Sequence, residues 1–115
     1  MVTVHSIMII KKGNKFFNYF DERWQTYFFP NIKGNDIEEI KKIYGTSKVK
    51  YIFDKVHDKY SVSHGIMRTY HHYFFEVDIE MDGEYFTLDE LLEIPEVREN
   101  NEDVINFLKE YYNIK

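Results

Sequence analysis

Apolar runs alternate with short turn-forming segments along the first third of the chain. Val2 to Ile10 is apolar on both faces toward its end, which is typical of a strand in the middle of a sheet. Turn residues separate it from a second strand over Phe16 to Phe20. A third, aromatic strand over Trp24 to Phe29 stops at Pro30. This part of the chain therefore predicts three strands.

The next segment carries the signals of a short helix. Asn35 can cap its first turn, Glu38 completes a capping box three residues later, and Gly45 suits the residue just past its end. The helix is predicted to bury Ile37, Ile40 and Tyr44, with Ile43 alongside.

A long hairpin is predicted from strands over Val49 to Tyr60 and Ile66 to Glu80, joined by a loop of five residues. Strict alternation in its second strand separates two faces. One face carries Tyr73, Phe75, Val77 and Ile79, and the other carries Arg68, Tyr70, His72, Phe74, Glu76, Asp78 and Glu80.

The last third predicts two helices. Thr87 and Glu90 form a capping box that opens a short helix, Pro95 closes it, and a final helix runs from about Asn101 to Tyr112. The predicted order is β-β-β-α-β-β-α-α. It indicates a single α+β domain over residues 1–115, with a mixed, mostly antiparallel sheet flanked by helices, and it excludes a Rossmann alternation.

Composition narrows the class of protein. A chain of 115 residues has the size of one domain, and its 10 Phe and 10 Tyr predict a core rich in rings. The longest apolar stretch, Ile7 to Ile10, is far too short to span a membrane. The absence of cysteine excludes disulfides and thiolate metal sites. We therefore expect a cytoplasmic protein with no membrane partner.

The charges are unevenly distributed. Residues 1–75 hold 12 Lys/Arg and 7 Asp/Glu, a balance of +5, whereas residues 76–115 hold 3 and 13, a balance of −10; together they give the net −5. A surface built from the first part can attract an anion such as phosphate. The alternative is a solvated mixture of both signs. A duplex nucleic-acid partner is unlikely at a pI near 5.5.

Taken together, these features resemble the Nudix hydrolase family. The opening strand, the aromatic strand running into Pro30, the helix ending in Gly45 and the long hairpin follow its layout. Residues 85–92 (Tyr-Phe-Thr-Leu-Asp-Glu-Leu-Leu) resemble the segment that closes many Nudix domains. The resemblance covers nearly the whole chain and implies a Nudix-like fold.

The catalytic motif of that family is degenerate here. The end of the box G-x5-E-x7-R-E-U-x-E-E-x-G-U, where U is a bulky aliphatic residue, falls on residues 38–45, and of its carboxylate cluster only Glu39 is retained. Lys42 and Ile43 occupy the positions of the metal-binding glutamates, and neither can ligate Mg²⁺. The nearest glycine, Gly34, also stands only four residues before Glu38. The resemblance thus predicts no catalytic residues, no metal and no cofactor.

Degenerate Nudix-like domains are associated, as a group, with bacterial antiviral systems that make cyclic oligonucleotide signals, and this chain looks like that group. The resemblance implies a domain that binds a nucleotide or a cyclic oligonucleotide.

The best candidate ligand surface is the strand face that bears Arg68, Tyr70 and His72. With Lys48 and Lys50 of the partner strand, it can stack a base on Tyr70 and pair phosphates with Arg68. The alternative is a sheet face covered by a helix, with the long side chains reaching outward.

Trp24 and Tyr27 are further candidates, because Nudix folds often shape the substrate pocket at this place. The alternative is that both rings belong to the core, as aromatic residues on short strands usually do.

Histidines do not suggest a metal site. His71 and His72 are adjacent on a strand and face opposite ways, and His5, His57 and His64 add no ligand spacing.

Glu76, Asp78 and Glu80 lie on one face of the predicted strand, with Glu84 in the next turn. The row can bind Mg²⁺ or Ca²⁺, or it is a solvated edge whose charges discourage aggregation.

Three functional hypotheses follow. The first is a catalytically inactive Nudix-like domain that binds a nucleotide-derived ligand. The second is a protein–protein interaction module or homodimer that buries aromatic surface or pairs an edge strand. The third is a divergent metal-dependent phosphohydrolase, with carboxylates drawn from Glu38, Glu39, Glu76, Asp78 and Glu80.

Overall fold

The computed structural model describes residues 2–61 and 64–115. The fold is mixed α+β with a mostly antiparallel arrangement of strands, as the sequence predicts. In chain order the elements are β1 (Val2–Ile9), β2 (Lys11–Lys12), β3 (Lys15–Asp21), β4 (Thr26–Phe28), β5 (Asn31–Lys33), α1 (Ile37–Tyr44), β6 (Val49–Ser61), β7 (Ile66–Val77), β8 (Glu84–Phe86), α2 (Leu88–Leu92) and α3 (Pro95–Tyr112).

The chain groups into two compact units, the first formed by residues up to Ile10 with Pro30–Glu80, and the second by Lys11–Phe29 with Met81–Lys115. The first unit contains a four-stranded sheet in the order β5-β1-β7-β6. β1 runs parallel to β7, and the other two pairings are antiparallel. β1 is therefore an interior strand, which agrees with its doubly apolar end, where residues 7–10 are almost fully buried.

Helix α1 starts one residue later than the sequence suggested. Asp36, not Asn35, is the N-cap, and its carboxylate accepts a hydrogen bond from the Glu38 backbone N–H at 2.9 Å. The Asn35–Glu38 capping box is therefore wrong. The predicted end is confirmed, because Gly45 adopts φ 63° and its N–H bonds to the Lys41 carbonyl.

The buried stripe of α1 is narrower than predicted. Ile40 is fully buried, Ile37 and Tyr44 are half-buried, and Ile43 is 53% exposed. Ile40 is therefore the helix residue that packs into the core, while the side chain of Ile43 faces solvent.

Strand β7 ends at Val77, three residues before the predicted end. The Asp78 N–H bonds to the Lys48 carbonyl, and the Ile79 N–H turns back to the Val77 carbonyl. Asp78 and Glu80 are consequently off the strand, and the predicted row of carboxylates on one strand face is not formed. The predicted hairpin loop includes residues 62 and 63, which lie outside the described residues.

In the second unit, β3 is the central strand and pairs with β2, β4 and β8. Strand β4 begins at Thr26 and not at Trp24, because Gln25 adopts φ 53° and the Asp21 carboxylate accepts the backbone N–H groups of the turn. Strands β2, β5 and β8 span only two or three residues, too few for an alternating pattern, and the sequence did not predict them.

The two C-terminal helices are capped in different ways. The Thr87–Glu90 capping box is confirmed, with both reciprocal hydrogen bonds present. Pro95 lies in the first turn of α3, where a missing N–H costs nothing, so this helix begins about a turn and a half earlier than Asn101. In the described part of the chain no helix has the length and apolar character to cross a membrane.

The core of the second unit combines rings and aliphatic residues. Phe16 is fully buried and packs against Phe29 and Tyr112, with ring centroids 6.4 and 5.7 Å away. The buried face of the helices supplies Leu88, Leu91, Val97, Val104, Ile105 and Leu108.

Candidate ligand-binding surface

Arg68, Tyr70 and His72 project from the same face of β7, as the alternation predicts. Arg68 and Tyr70 are half-buried, and His72 is 8% exposed. The Tyr70 and His72 rings are stacked, with centroids 5.5 Å apart and planes 28° apart. The three side chains therefore form one continuous strip along the strand.

The partner strand β6 adds three basic or titratable side chains to this face. The register places Lys55 opposite His72, His57 opposite Tyr70 and Lys59 opposite Arg68. Directly opposed residues of an antiparallel pair share a face.

The other neighbour of β7 contributes an imidazole and a hydroxyl. Parallel pairing sets His5 beside His72 and Thr3 beside Tyr70. The His5 ring lies 6.3 Å from the Tyr70 ring and 6.2 Å from the His72 ring, each at 22°. At the outer edge, β5 places Lys33 opposite His5. We call this surface the cationic face; it comprises Lys33, Lys55, Lys59, Arg68, His5, His57, Tyr70 and His72.

The guanidinium of Arg68 is held in place from two sides. Its Nη2 donates to the Thr3 hydroxyl at 3.0 Å, and its Nη1 lies 3.1 Å from Nδ1 of His64. His64 in turn lies 2.9 Å from the Ser61 hydroxyl. A planar cation fixed in this way is preorganised to receive a planar or tetrahedral anion.

Carboxylates are segregated to the opposite face of the same hairpin. Asp54 and Asp58 pair across to Tyr73 and Thr69, on the side away from Arg68. On the cationic face, the first carboxylate along the described part of the sheet is Glu76, near the far end of β7. Within the described residues, none of the strand positions at the centre of this face carries an acidic residue.

The electrostatic consequence is visible at His5. Burial lowers the pKa of its imidazole, and the positive charges of Lys33 and Arg68 lower it further. An anion that binds near Lys33 and Arg68 offsets their positive charges and so raises the pKa of His5.

The predicted contribution of Lys48 and Lys50 to this surface is wrong. Lys50 stands opposite Glu76, eight residues along β7 from Arg68, and the Lys48 amine lies 3.8 Å from the Asp78 carboxylate. The cations that face Arg68 and His72 are instead Lys59 and Lys55, which the sequence reasoning missed, together with His5 and His57.

Asp54 organises the opposite face of the hairpin. It accepts hydrogen bonds from the Tyr51 hydroxyl and from Nε2 of His71, the latter at 2.6 Å. The His71 ring stacks on Tyr73 at 4.2 Å. The Tyr51 bond first, and then His71, hold the pKa of the Asp54 carboxyl below its ordinary value.

Trp24 and Tyr27 belong to the second unit and differ in their surroundings. Trp24 is 46% exposed on the turn before β4, with the Arg23 guanidinium 5.8 Å from its ring. Tyr27 is half-buried and packs edge-on against Phe20 and Phe86 at 5.2 and 5.0 Å. The exposed indole is thus available to a ligand, while Tyr27 is largely part of an aromatic cluster.

Helix α1 contains the residues that the sequence resemblance assigns to the end of the Nudix box. Glu38 pairs with Lys41 at 3.3 Å, and Glu39, Lys42 and Ile43 are exposed. Within residues 2–61 and 64–115, no three His, Asp or Glu side chains are grouped so that they could hold an ion.

Comparison with known proteins defines the class of fold. No protein-family model matches the chain, and no curated protein matches it in sequence. Among solved structures, the chain is similar to the DNA mismatch repair protein MutT, of the Nudix hydrolase family, from methicillin-resistant Staphylococcus aureus 252. That match has a TM-score of 0.54 and 15% identity, over 86% of this chain and 95% of that one.

A second similar structure is the Ap4A hydrolase of C. elegans, with a TM-score of 0.51 and 12% identity, over 82% of this chain and 86% of that one. At these identities the similarity defines the fold alone, and the fold is Nudix-like.

Proposed function

We propose that this chain is a catalytically inactive Nudix-like domain that binds a nucleotide or a nucleotide-derived signal. The observation that carries the proposal is the cationic face, where the strand register brings together four basic side chains, a tyrosine and three imidazoles. The solved structures of similar fold, a Nudix-family MutT and an Ap4A hydrolase, add the nucleotide chemistry of their names as support.

The chemistry of the face matches that of a nucleotide. Tyr70, whose ring lies against the buried His72, offers a ring on which a base can stack, and Arg68 offers a forked donor for a phosphate. Lys33 and Lys55 lie on opposite edge strands, three strand spacings or about 14 Å apart. This width favours a ligand with more than one phosphate, such as a dinucleotide or a cyclic oligonucleotide. Separately, in the second unit, we propose Trp24 and Tyr27 as ligand-contacting residues, with the exposed Trp24 indole available for stacking.

The absence of catalysis is proposed from the residues of α1. Lys42 and Ile43 stand where the family's metal-binding glutamates fall, and Glu39 alone cannot replace the cluster. A cytoplasmic location and a role in bacterial antiviral signalling are part of the proposal through the resemblance to degenerate Nudix-like domains.

Isothermal titration with AMP, ADP and cyclic di-AMP, each with and without Mg²⁺, tests the proposal. Arg68→Ala is expected to weaken binding about tenfold or more, because a hydrogen bond to a charged group contributes about 1.5–3 kcal/mol. Arg98→Ala, at an exposed position of α3, is the matched control and should bind as the wild type does.

Two outcomes would contradict the proposal. Equal binding by the Arg68 and Arg98 variants would remove the cationic face from the site. Turnover of a nucleotide by the wild type in Mg²⁺ or Mn²⁺, lost in Glu39→Gln, would show that the domain is a hydrolase.

A second candidate function is a protein–protein interaction module. Tyr60 and Met67 are paired across the hairpin on the face opposite Arg68. Val56 lies on the same face of β6, four residues before Tyr60. All three are more than half exposed, at 57%, 61% and 61%. Such a patch at the end of an edge strand favours association. Light scattering that shows a monomer at all concentrations would argue against a homodimer, and a dimer lost in Met67→Glu would favour it.

A further inference from the structure

Three imidazoles meet at the centre of the cationic face. Nε2 of His57 and Nδ1 of His72 lie 3.0 Å apart, so one of the two rings must donate a proton to the other. His5 stacks on the opposite side of His72, with ring centroids 6.2 Å apart. His57 and His72 therefore form one hydrogen-bonded pair with His5 beside it, and neighbouring titratable groups influence one another's protonation.

Basic side chains lie around this cluster on three of the four strands of the sheet. Lys33 lies on β5, Lys55 and Lys59 on β6, and Arg68 on β7, while Tyr70 is the neutral neighbour. Burial lowers the pKa of His5 most, and the positive charges of Lys33 and Arg68 lower it further, because like charges oppose protonation of an imidazole. A phosphate bound among these side chains offsets the repulsion from Lys33 and Arg68 and so favours protonation of His5.

We propose that the imidazole cluster is a proton-coupled phosphate subsite, so that a phosphate ligand binds with uptake of about one proton and more tightly as pH falls. The inference rests on the proposed function and deepens it, since it specifies how the same face is regulated. The ligand chemistry is a phosphate mono- or diester, held by Arg68 and the surrounding lysines, whose negative charge stabilises an imidazolium formed on His57, His72 or His5.

Cyclic di-AMP is a suitable probe, because its phosphodiesters stay ionised and do not titrate near neutral pH. Titration calorimetry at about pH 6 and about pH 8 should show affinity falling about tenfold or more as the pH rises, since one bound proton changes affinity up to about tenfold per pH unit. At about pH 7, repetition in two buffers of different ionisation enthalpy should report net uptake of protons by the complex.

Two variants separate this coupling from simple charge attraction. His57→Gln keeps a side chain that can hydrogen-bond to His72 but cannot become charged, so it should reduce proton uptake and weaken the pH dependence of the affinity. His71→Gln is the matched control, because His71 lies on the same hairpin but on the opposite face. It should keep the wild-type pH dependence. Circular dichroism establishes that both variants are folded.

The outcomes distinguish the two proposals. Binding of cyclic di-AMP with the same affinity at both pH values and no proton uptake would overturn the coupling and leave the nucleotide-binding proposal standing. Coupling that persists undiminished when His5, His57 and His72 are all replaced by glutamine would also overturn it. No binding of cyclic di-AMP, ADP or AMP at any pH would overturn both proposals.

Discussion

Replacement of Asp54 by asparagine tests the register of the β6–β7 hairpin, on which the cationic face depends. Asp54 is the shared acceptor of the Tyr51 hydroxyl and the His71 imidazole. The pairing that brings it to His71 also sets Lys55 beside His72 on the other face. Asp54→Asn keeps the shape of the side chain and removes its negative charge.

The expected loss of stability is modest, because the pair is partly open to solvent. The side chains of His71 and Asp54 are 23% and 35% exposed, so solvent screens their attraction. Two hydrogen bonds to a charged acceptor, discounted for this exposure, give a loss of about 1 kcal/mol in the free energy of unfolding. In a domain of this size, that corresponds to a fall of about 4 °C in Tm.

The pH dependence supplies the sharper measurement. The pKa of Asp54 is lower in the folded protein than in the unfolded chain, so its contribution is complete above the ordinary carboxyl pKa of about 4 and is lost as the pH falls through the folded value. Urea denaturation at about pH 7 should therefore separate wild type and Asp54→Asn, and the difference should vanish toward about pH 2.

Asp58→Asn is the matched control. Asp58 lies on the same strand and face, but it accepts a single hydrogen bond, from the Thr69 hydroxyl at 2.7 Å, and contacts no imidazole through that bond. It should cost less than Asp54→Asn at neutral pH. If the two variants lose equal stability, or if the Asp54 effect does not change with pH, the deduced pairing with Tyr51 and His71 is incorrect.

Two substitutions in the second unit test its local geometry. Thr87→Ala removes the side-chain half of the capping box and should lower the free energy of unfolding by about 1 kcal/mol, while Thr87→Ser should lose less; denaturation curves that do not differ would refute the role of the cap. Gly83→Ala would place a Cβ atom 2.7 Å from a ring carbon of Phe17, at φ 153°, and should destabilise by about 1–3 kcal/mol. An unchanged Tm would mean that the Phe17 ring moves aside without cost.

Local rules were sufficient wherever the chemistry of a single turn determines the structure. Gly45 ends α1 because its left-handed backbone directs its N–H to the Lys41 carbonyl. Thr87 begins α2 because its hydroxyl accepts the Glu90 N–H, a hydrogen bond that only a few residue types can make. The same rules failed at Asn35, because Asp36 caps equally well and the two choices differ by one residue. They also failed at Pro95, because a proline both interrupts one helix and suits the first turn of the next.

The candidate site was only half predictable for a different reason. Alternation along one strand was sufficient to place Arg68 and His72 on one face, but the partner of each residue depends on the register between strands. A bulge between Tyr51 and Phe53 shifts that register by one residue. Residues beyond the bulge therefore change faces, which is why Lys55 lies beside His72 although counting from Lys50 gives the opposite result.

Long-range pairing explains the rest of what the sequence did not predict. His5 reaches His72 only because β1 runs parallel to β7, and no local pattern indicates which strands become neighbours in a mixed sheet.

The basic side chains that this topology brings together are also relevant to the proposed loss of metal-dependent catalysis. In the Nudix box that the chain resembles, helix carboxylates recruit Mg²⁺ to offset the charge of the phosphates. We propose that Lys42 and Ile43 stand at two of those carboxylate positions in this chain, while the sheet presents basic side chains of its own. Fixed cations can neutralise a phosphate without activating water, so the proposed domain can keep a phosphate ligand while lacking the means to hydrolyse it.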